Sequence, residues 1–139
     1  DRVFNPRGRD KTDEAQVFTL VPKQYGGTLS WLAAEGTDAE QTDGIAADKA
    51  VEALEEMGRS DKPFFLAVGF YRPHTPYVAP KSWFDLYPRE SITLPELSEA
   101  DRERTPPQAF ASAHKEQDEM SDDLRREAIQ AYHASISFM

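Results

Sequence analysis

Lys62-Pro-Phe-Phe-Leu-Ala-Val-Gly-Phe-Tyr-Arg-Pro-His-Thr-Pro-Tyr77 is the stretch on which the fold turns. Its first part, Phe64 to Tyr71, is an unbroken run of apolar or small residues, four of them aromatic. That length and aromatic content fit a strand buried on both faces rather than a helix. Pro73 and Pro76 cannot continue a central sheet ladder, so the chain is expected to leave the sheet there. In an open α/β sheet, the space beyond a strand's carboxyl end is where ligands bind. His74 and Arg72 therefore fall where a site is expected.

Upstream of this run, Thr42 or Asp43 can cap a helix whose apolar face is Ala47, Ala50, Val51, Leu54 and Met57, with Gly58 at its end. Helix, short loop and buried strand make half of an α/β unit. A short strand is expected within Gln16 to Val21, and loops at Gly26-Gly27 and from Glu35 to Asp43. Downstream, Lys81 to Leu86 predicts a short helix stopped by Pro88. Residues 89–120 are charged and broken by prolines, and are expected to form a long excursion with little regular structure. A last helix is predicted from about Asp122 to the end, with Leu124, Ala128, Ala131, Tyr132, Ser135 and Met139 on one face. Asp122 and Asp123 suit its first turn.

One strongly apolar strand is too little sheet for a doubly wound domain, because a parallel strand needs neighbours on both edges. Residues 1–139 are therefore expected to be an internal portion of one larger α/β domain, incomplete at both ends. Exposed apolar edges would make such a portion poorly stable as an isolated monomer.

Composition narrows the function classes. The chain has 139 residues, 39% hydrophobic and 29% charged, which is ordinary for a globular protein. A net charge of −9 argues against nucleic acid as a partner, since phosphate binding needs clustered Lys and Arg. An anionic small molecule stays possible, because a local cationic pocket can sit within an acidic surface. With no cysteine, this chain offers no disulfide, zinc thiolate or cysteine nucleophile. No apolar run approaches the length of a membrane span, and Asp1-Arg2-Val3 is no signal peptide.

The strand-and-turn word resembles the sulfatase family, in its iduronate-2-sulfatase-like branch, where a buried strand ends in a Lys/Arg-Pro-His-x-Pro turn. Further words are similar to the same branch: Leu29-Ser-Trp31, Thr42-Asp-Gly-Ile-Ala46, Pro80-Lys-Ser-Trp-Phe-Asp-Leu-Tyr-Pro88, Ile92-Thr-Leu-Pro95 and Ala131-Tyr-His-Ala-Ser-Ile-Ser-Phe-Met139. The resemblance implies part of an alkaline-phosphatase-like sulfatase domain, a mixed sheet flanked by helices. It implies hydrolysis of a sulfate ester, on a sulfated small molecule or carbohydrate, by a parent protein that uses calcium and formylglycine. The rest of the sulfatase domain would be this chain's partner, and a periplasmic, secreted or lysosomal location would follow.

The resemblance also assigns roles. His74 matches the family histidine that faces the sulfate, where it would donate a hydrogen bond or assist the leaving oxygen. Arg72 either helps bind the anion or pairs with an acidic residue. Asp1-Arg-Val-Phe-Asn-Pro6 is similar to a Gly-Lys-Val/Ile-Phe-His-Pro word whose lysine and histidine point at formylglycine and sulfate. Arg2 then stands at the lysine position and keeps its charge. Asn5 stands at the histidine position and cannot exchange a proton near neutral pH. The family's Cys/Ser-x-Pro-x-Arg motif does not occur here, nor do its calcium ligands in context, so this chain alone is expected to be inactive. Two alternatives remain open at this point: a non-catalytic sulfatase-like binding module, and a phosphatase or phosphonate hydrolase of the same superfamily.

Overall fold

The computed structural model describes residues 2–96, 98–111 and 114–139. Asp1, at the head of the Arg2-to-Pro6 word, and Leu97, Ser112 and Ala113, inside the 89–120 excursion, lie outside the described residues. A three-stranded mixed sheet organises the chain, in the order β1 (Phe18–Thr19), β2 (Ser30–Ala34), β3 (Tyr77–Pro80). β1 runs antiparallel to β2, with Phe18 opposite Trp31. β2 runs parallel to β3, from Trp31 opposite Tyr77 to Ala34 opposite Pro80. Pro80 is tolerated because it closes its strand, where a missing N–H breaks no ladder. β1 lies inside the predicted 16–21 strand, whereas β2 and β3 were not foreseen.

The run from 63 to 71 forms no strand, contrary to the buried strand that its apolar content predicts. It is not buried either. Phe65 is 91% exposed, and Phe64, Val68, Phe70 and Tyr71 are about half exposed. Among the described residues no strand pairs with it. A run composed for burial on both faces needs sheet neighbours to satisfy its backbone and cover its side chains. Apolar content signalled that need and could not supply the neighbours.

The described residues form six α-helices: α1 (Arg9–Thr12), α2 (Thr42–Met57), α3 (Lys81–Phe84), α4 (Glu99–Arg104), α5 (Lys115–Asp118) and α6 (Asp122–Phe138). α6 packs across β2, β3 and α3. Its Ala128, Ala131 and Ala134 present small side chains that let the helix approach the sheet closely. They meet Trp31, Ala79, Phe84 and Met120 in the apolar core. Polar ties fix the docking: Gln130 Nε2 donates to the carbonyls of Phe84 and Tyr87, and Trp31 Nε1 donates to Glu127. Ser121 Oγ accepts from the N–H of Leu124, which caps the helix as its Ser-Asp-Asp start permits. The predicted face of α6 is right for Ala128, Ala131 and Ser135. Tyr132 and Met139 are substantially exposed instead, though the Tyr132 ring still packs on Tyr77 at 5.2 Å.

Two further expectations need correction. The N-cap of α2 is Gln41, so Thr42 and Asp43 sit inside the first turn, and Val51 and Leu54 on its apolar face are about half exposed. The 89–120 excursion is also more regular than expected. α4 starts from a capping box in which Ser98 and Asp101 satisfy each other's backbone N–H, a device that nucleates a short helix without tertiary help.

Candidate active site

The turn after Tyr71 carries His74 at the surface, between cis peptide bonds at Arg72-Pro73 and Thr75-Pro76. His74 N–H donates to the carbonyl of Tyr71 at 2.9 Å, which closes the turn. Its Nδ1 lies 2.7 Å from the carbonyl of Thr75. A carbonyl can only accept, so Nδ1 carries the proton of that bond and Nε2 is the ring nitrogen left to face outward chemistry. Thr75 Oγ1 donates to the carbonyl of Gly26, which docks the turn on the 24–27 loop. Gly26 has φ +73°, a conformation that favours glycine, and a Cβ there would press on the Thr75 carbonyl.

Beneath this turn lies a buried polar network. Asp10 and Arg72 form an ion pair at 2.7 Å, both almost fully buried. Asp10 also accepts from the Thr42 backbone N–H at 2.9 Å and from Thr42 Oγ1 at 2.6 Å. A carboxylate 32 residues upstream therefore caps the N-terminus of α2, where the helix dipole favours negative charge. Gly8 N–H donates to the same Thr42 hydroxyl, and a Cβ on Gly8 would overlap the backbone of Gln41 and Thr42. Asp43 accepts from the backbone N–H groups of Tyr71 and Arg72, each at 2.9 Å. Arg72 Nε reaches across the turn to the carbonyl of Val78 at 2.6 Å. Burial pushes the Arg72 guanidinium below its ordinary value while Asp10 and Asp43 hold it up. An arginine so placed stays charged at neutral pH.

Arg2 and Asn5 lie together elsewhere. Both line a cleft of about 1140 Å³ between α2 and the 65–71 run. Arg2 is exposed and makes a two-pronged bond to Glu56 of α2. Asn5 also borders a smaller cavity of about 200 Å³ with Arg7 and Lys11, and the Lys11 ammonium sits 4.5 Å above the Tyr71 ring. The four expected site residues thus fall into three settings. Arg2 and Asn5 share the cleft, Arg72 is committed to Asp10 and Val78 beneath the turn, and His74 stands on the turn outside the cleft lining.

Sequence reasoning missed Asp10 and the bridging role of Asp43. Asp43 was visible in the Thr42-Asp-Gly word, where a helix start accounts for it locally. Asp10 had no local signal, because its partners lie 32 and 62 residues away. Phe84 is in the core, Trp83 packs against that core, and Trp83 Nε1 donates to Asp38. His133 packs its ring on Tyr87 at 5.2 Å.

As to metals, among the described residues no group of three or more His, Cys, Asp or Glu is placed to hold an ion. Asp10 and Asp43 are close to one shared arginine, but their oxygens already accept from N–H and O–H donors. The residues present therefore do not fit a calcium site. Among the described residues no helix is long and apolar enough to cross a membrane.

Comparison with known proteins gives consistent likenesses. A sulfatase of Formosa agariphila is 41% identical over 85 residues, which cover 60% of this chain and 16% of that protein. Human iduronate 2-sulfatase is 36% identical over 96 residues, covering 67% of this chain and 16% of its own length. A multifunctional alkaline phosphatase superfamily protein of Trinickia caryophylli is 38% identical over 69 residues, covering 50% of this chain and 12% of that protein. The chain thus spans less than a fifth of the length of these curated relatives. No protein-family model matches it.

Proposed function

We propose that this chain, which belongs to the sulfatase family, supplies one wall of a pocket in which a whole protein hydrolyses a sulfate ester. Its mixed sheet with flanking helices is part of the alkaline-phosphatase-like fold of that family. The observation that carries the reading is His74, exposed on a braced turn with Nδ1 anchored and Nε2 free. With Nδ1 as the donor to Thr75, Nε2 of the neutral ring accepts a proton or hydrogen bond, and Nε2 of the imidazolium can donate to a sulfate oxygen or pass a proton to the leaving oxygen. Arg2 and Asn5 on the cleft are the proposed anion-binding partners, by charge and by amide N–H respectively. Arg72 serves the pocket from below, by bracing the turn.

Membership of the family implies its use of a divalent metal and a formylglycine, which together supply electrophilic and nucleophilic chemistry. Since the described residues do not fit a metal site, these groups would come from the remainder of the sulfatase domain. That remainder is also the proposed cover for the open 64–71 run. A sulfated carbohydrate is the favoured substrate class, in keeping with the human relative's name.

The test is turnover of an aryl sulfate and of sulfated sugars, with calcium, by the intact polypeptide that carries this chain. His74→Ala is expected to lower kcat by roughly 10²–10⁴-fold, the usual contribution of a positioned acid or base. Unchanged turnover would remove His74 from the chemistry. A folded, calcium-loaded polypeptide that binds these esters without turnover would support the binding-module reading instead. Asn5, which cannot act as a proton acid or base near neutral pH, fits that alternative, and Asn5→His would then be the next change to make.

A further inference from the structure

Two carboxylates grip the His74 turn from below, and neither has a solvent-facing role of its own. Asp43 takes the backbone N–H groups of Tyr71 and Arg72, the last two residues before the turn. Asp10 takes the Arg72 guanidinium, whose Nε in turn holds the Val78 carbonyl just after the turn. One side chain thus joins the entry and the exit of a loop whose apex is His74. Both carboxylates are also anchored at the N-terminus of α2, Asp43 as a member of its first turn and Asp10 through Thr42. A 16-residue helix is a rigid platform, so it sets where the turn stands.

We infer that Asp43 and Asp10 are positioning residues for His74, fixing the turn to α2 through the backbone of Tyr71 and Arg72 and through the Arg72–Val78 bridge. The inference rests on the reading of His74 given above. Two features separate it from plain fold stability. Asp43 contacts backbone at the turn's entry rather than any core residue, and the Arg72 bridge spans the turn itself. Loss of the Asp43 contact lets His74 shift relative to the cleft without touching the apolar core, whereas the Arg72 bridge ends on β3, the strand that also gives Ala79 to that core.

The experiment is a double-mutant cycle in the intact polypeptide, with kcat and KM for an aryl sulfate as the readouts. Asp43→Asn keeps the shape but turns an NH2 towards one of two backbone donors, so one bond is lost. A misplacement on the ångström scale is expected to lower kcat by about 10²-fold, with KM little changed. In a His74→Ala background the same substitution is expected to act within about twofold, because the group it positions is gone. Arg72→Lys, which keeps the cation opposite Asp10 but cannot reach Val78, is expected to show the same pattern. It carries the test if Asp43→Asn does not fold. Equal losses of kcat in both backgrounds would overturn the inference, as would an Asp43→Asn enzyme of full activity. If His74→Ala alone leaves kcat unchanged, the reading of His74 fails first, and the inference falls with it.

Discussion

Two long helices, α6 of 17 residues and α2 of 16, stand in opposite situations. α6 lays Ala128, Ala131 and Ala134 on β2 and β3, and its small side chains are almost wholly buried. α2 leaves Val51 and Leu54 about half exposed, its Ala46, Ala50, Ala53 and Met57 line a cleft, and the apolar run on the other side of that cleft is open as well. One half of the molecule is joined by apolar contact, the other by the Asp10–Arg72 pair and the Asp43 clamp. The contrast teaches that amphipathic pattern states a demand for cover, and only tertiary neighbours meet it. It also explains why buried charge appears in the open half. A buried ion pair is a weak source of net stability, yet it holds its partners to one geometry, which a site needs more than a core does.

The largest effect should come from the packed half. Phe84→Ala is expected to destabilise the chain by about 3–5 kcal/mol, as large-to-small core changes do. Urea denaturation measures it, and a loss below ~1 kcal/mol would mean the α6 core is not the source of stability. Phe65→Ala in the open half is expected to change the isolated chain by no more than about 0.5 kcal/mol, since a 91% exposed side chain has little burial to lose. In the intact polypeptide the same change is expected to approach the Phe84 value of roughly 3–5 kcal/mol, if the remainder of the domain covers the run. Equal small effects in both settings would remove the idea of a covered strand.

The smallest effect concerns the N-terminal arm. Glu56 is held below its ordinary carboxylate value of 4.5, first by its hydrogen bond from Arg2 and then by that residue's charge. A depressed value means the folded form binds its proton less readily than the free chain. The Arg2 tie is therefore intact above pH 4.5 and is lost as pH falls through the lower folded value. Both side chains are exposed, so the arm should loosen with little change in global stability. An NMR titration of the Glu56 carboxyl carbon checks this, and a midpoint at or above 4.5 would count against it.

How far the molecule was legible in its sequence follows from the range of each signal. α6 and α3 follow from residues a few positions apart, and local patterning found them; the strand around Phe18 was also found, although its partners are Ser30 and Trp31. The turn bearing His74 was legible because its two prolines punctuate the chain. β2 was not, since Ser-Trp-Leu-Ala-Ala is short and owes its state to pairing with residues more than 40 positions downstream. Asp10 was invisible for the same reason. The 63–71 run was legible in what it requires and misleading in what it forms, because a buried strand is a property of its neighbours as much as of itself.

The most direct measurement is amide hydrogen exchange, read residue by residue in the isolated chain and in the intact polypeptide. Protection is expected along α6 and β2 in both, with rapid exchange over 64–70 in the isolated chain and strong protection of 64–70 in the intact protein. Protection of that run in the isolated chain, or rapid exchange there in the intact protein, would contradict that expectation.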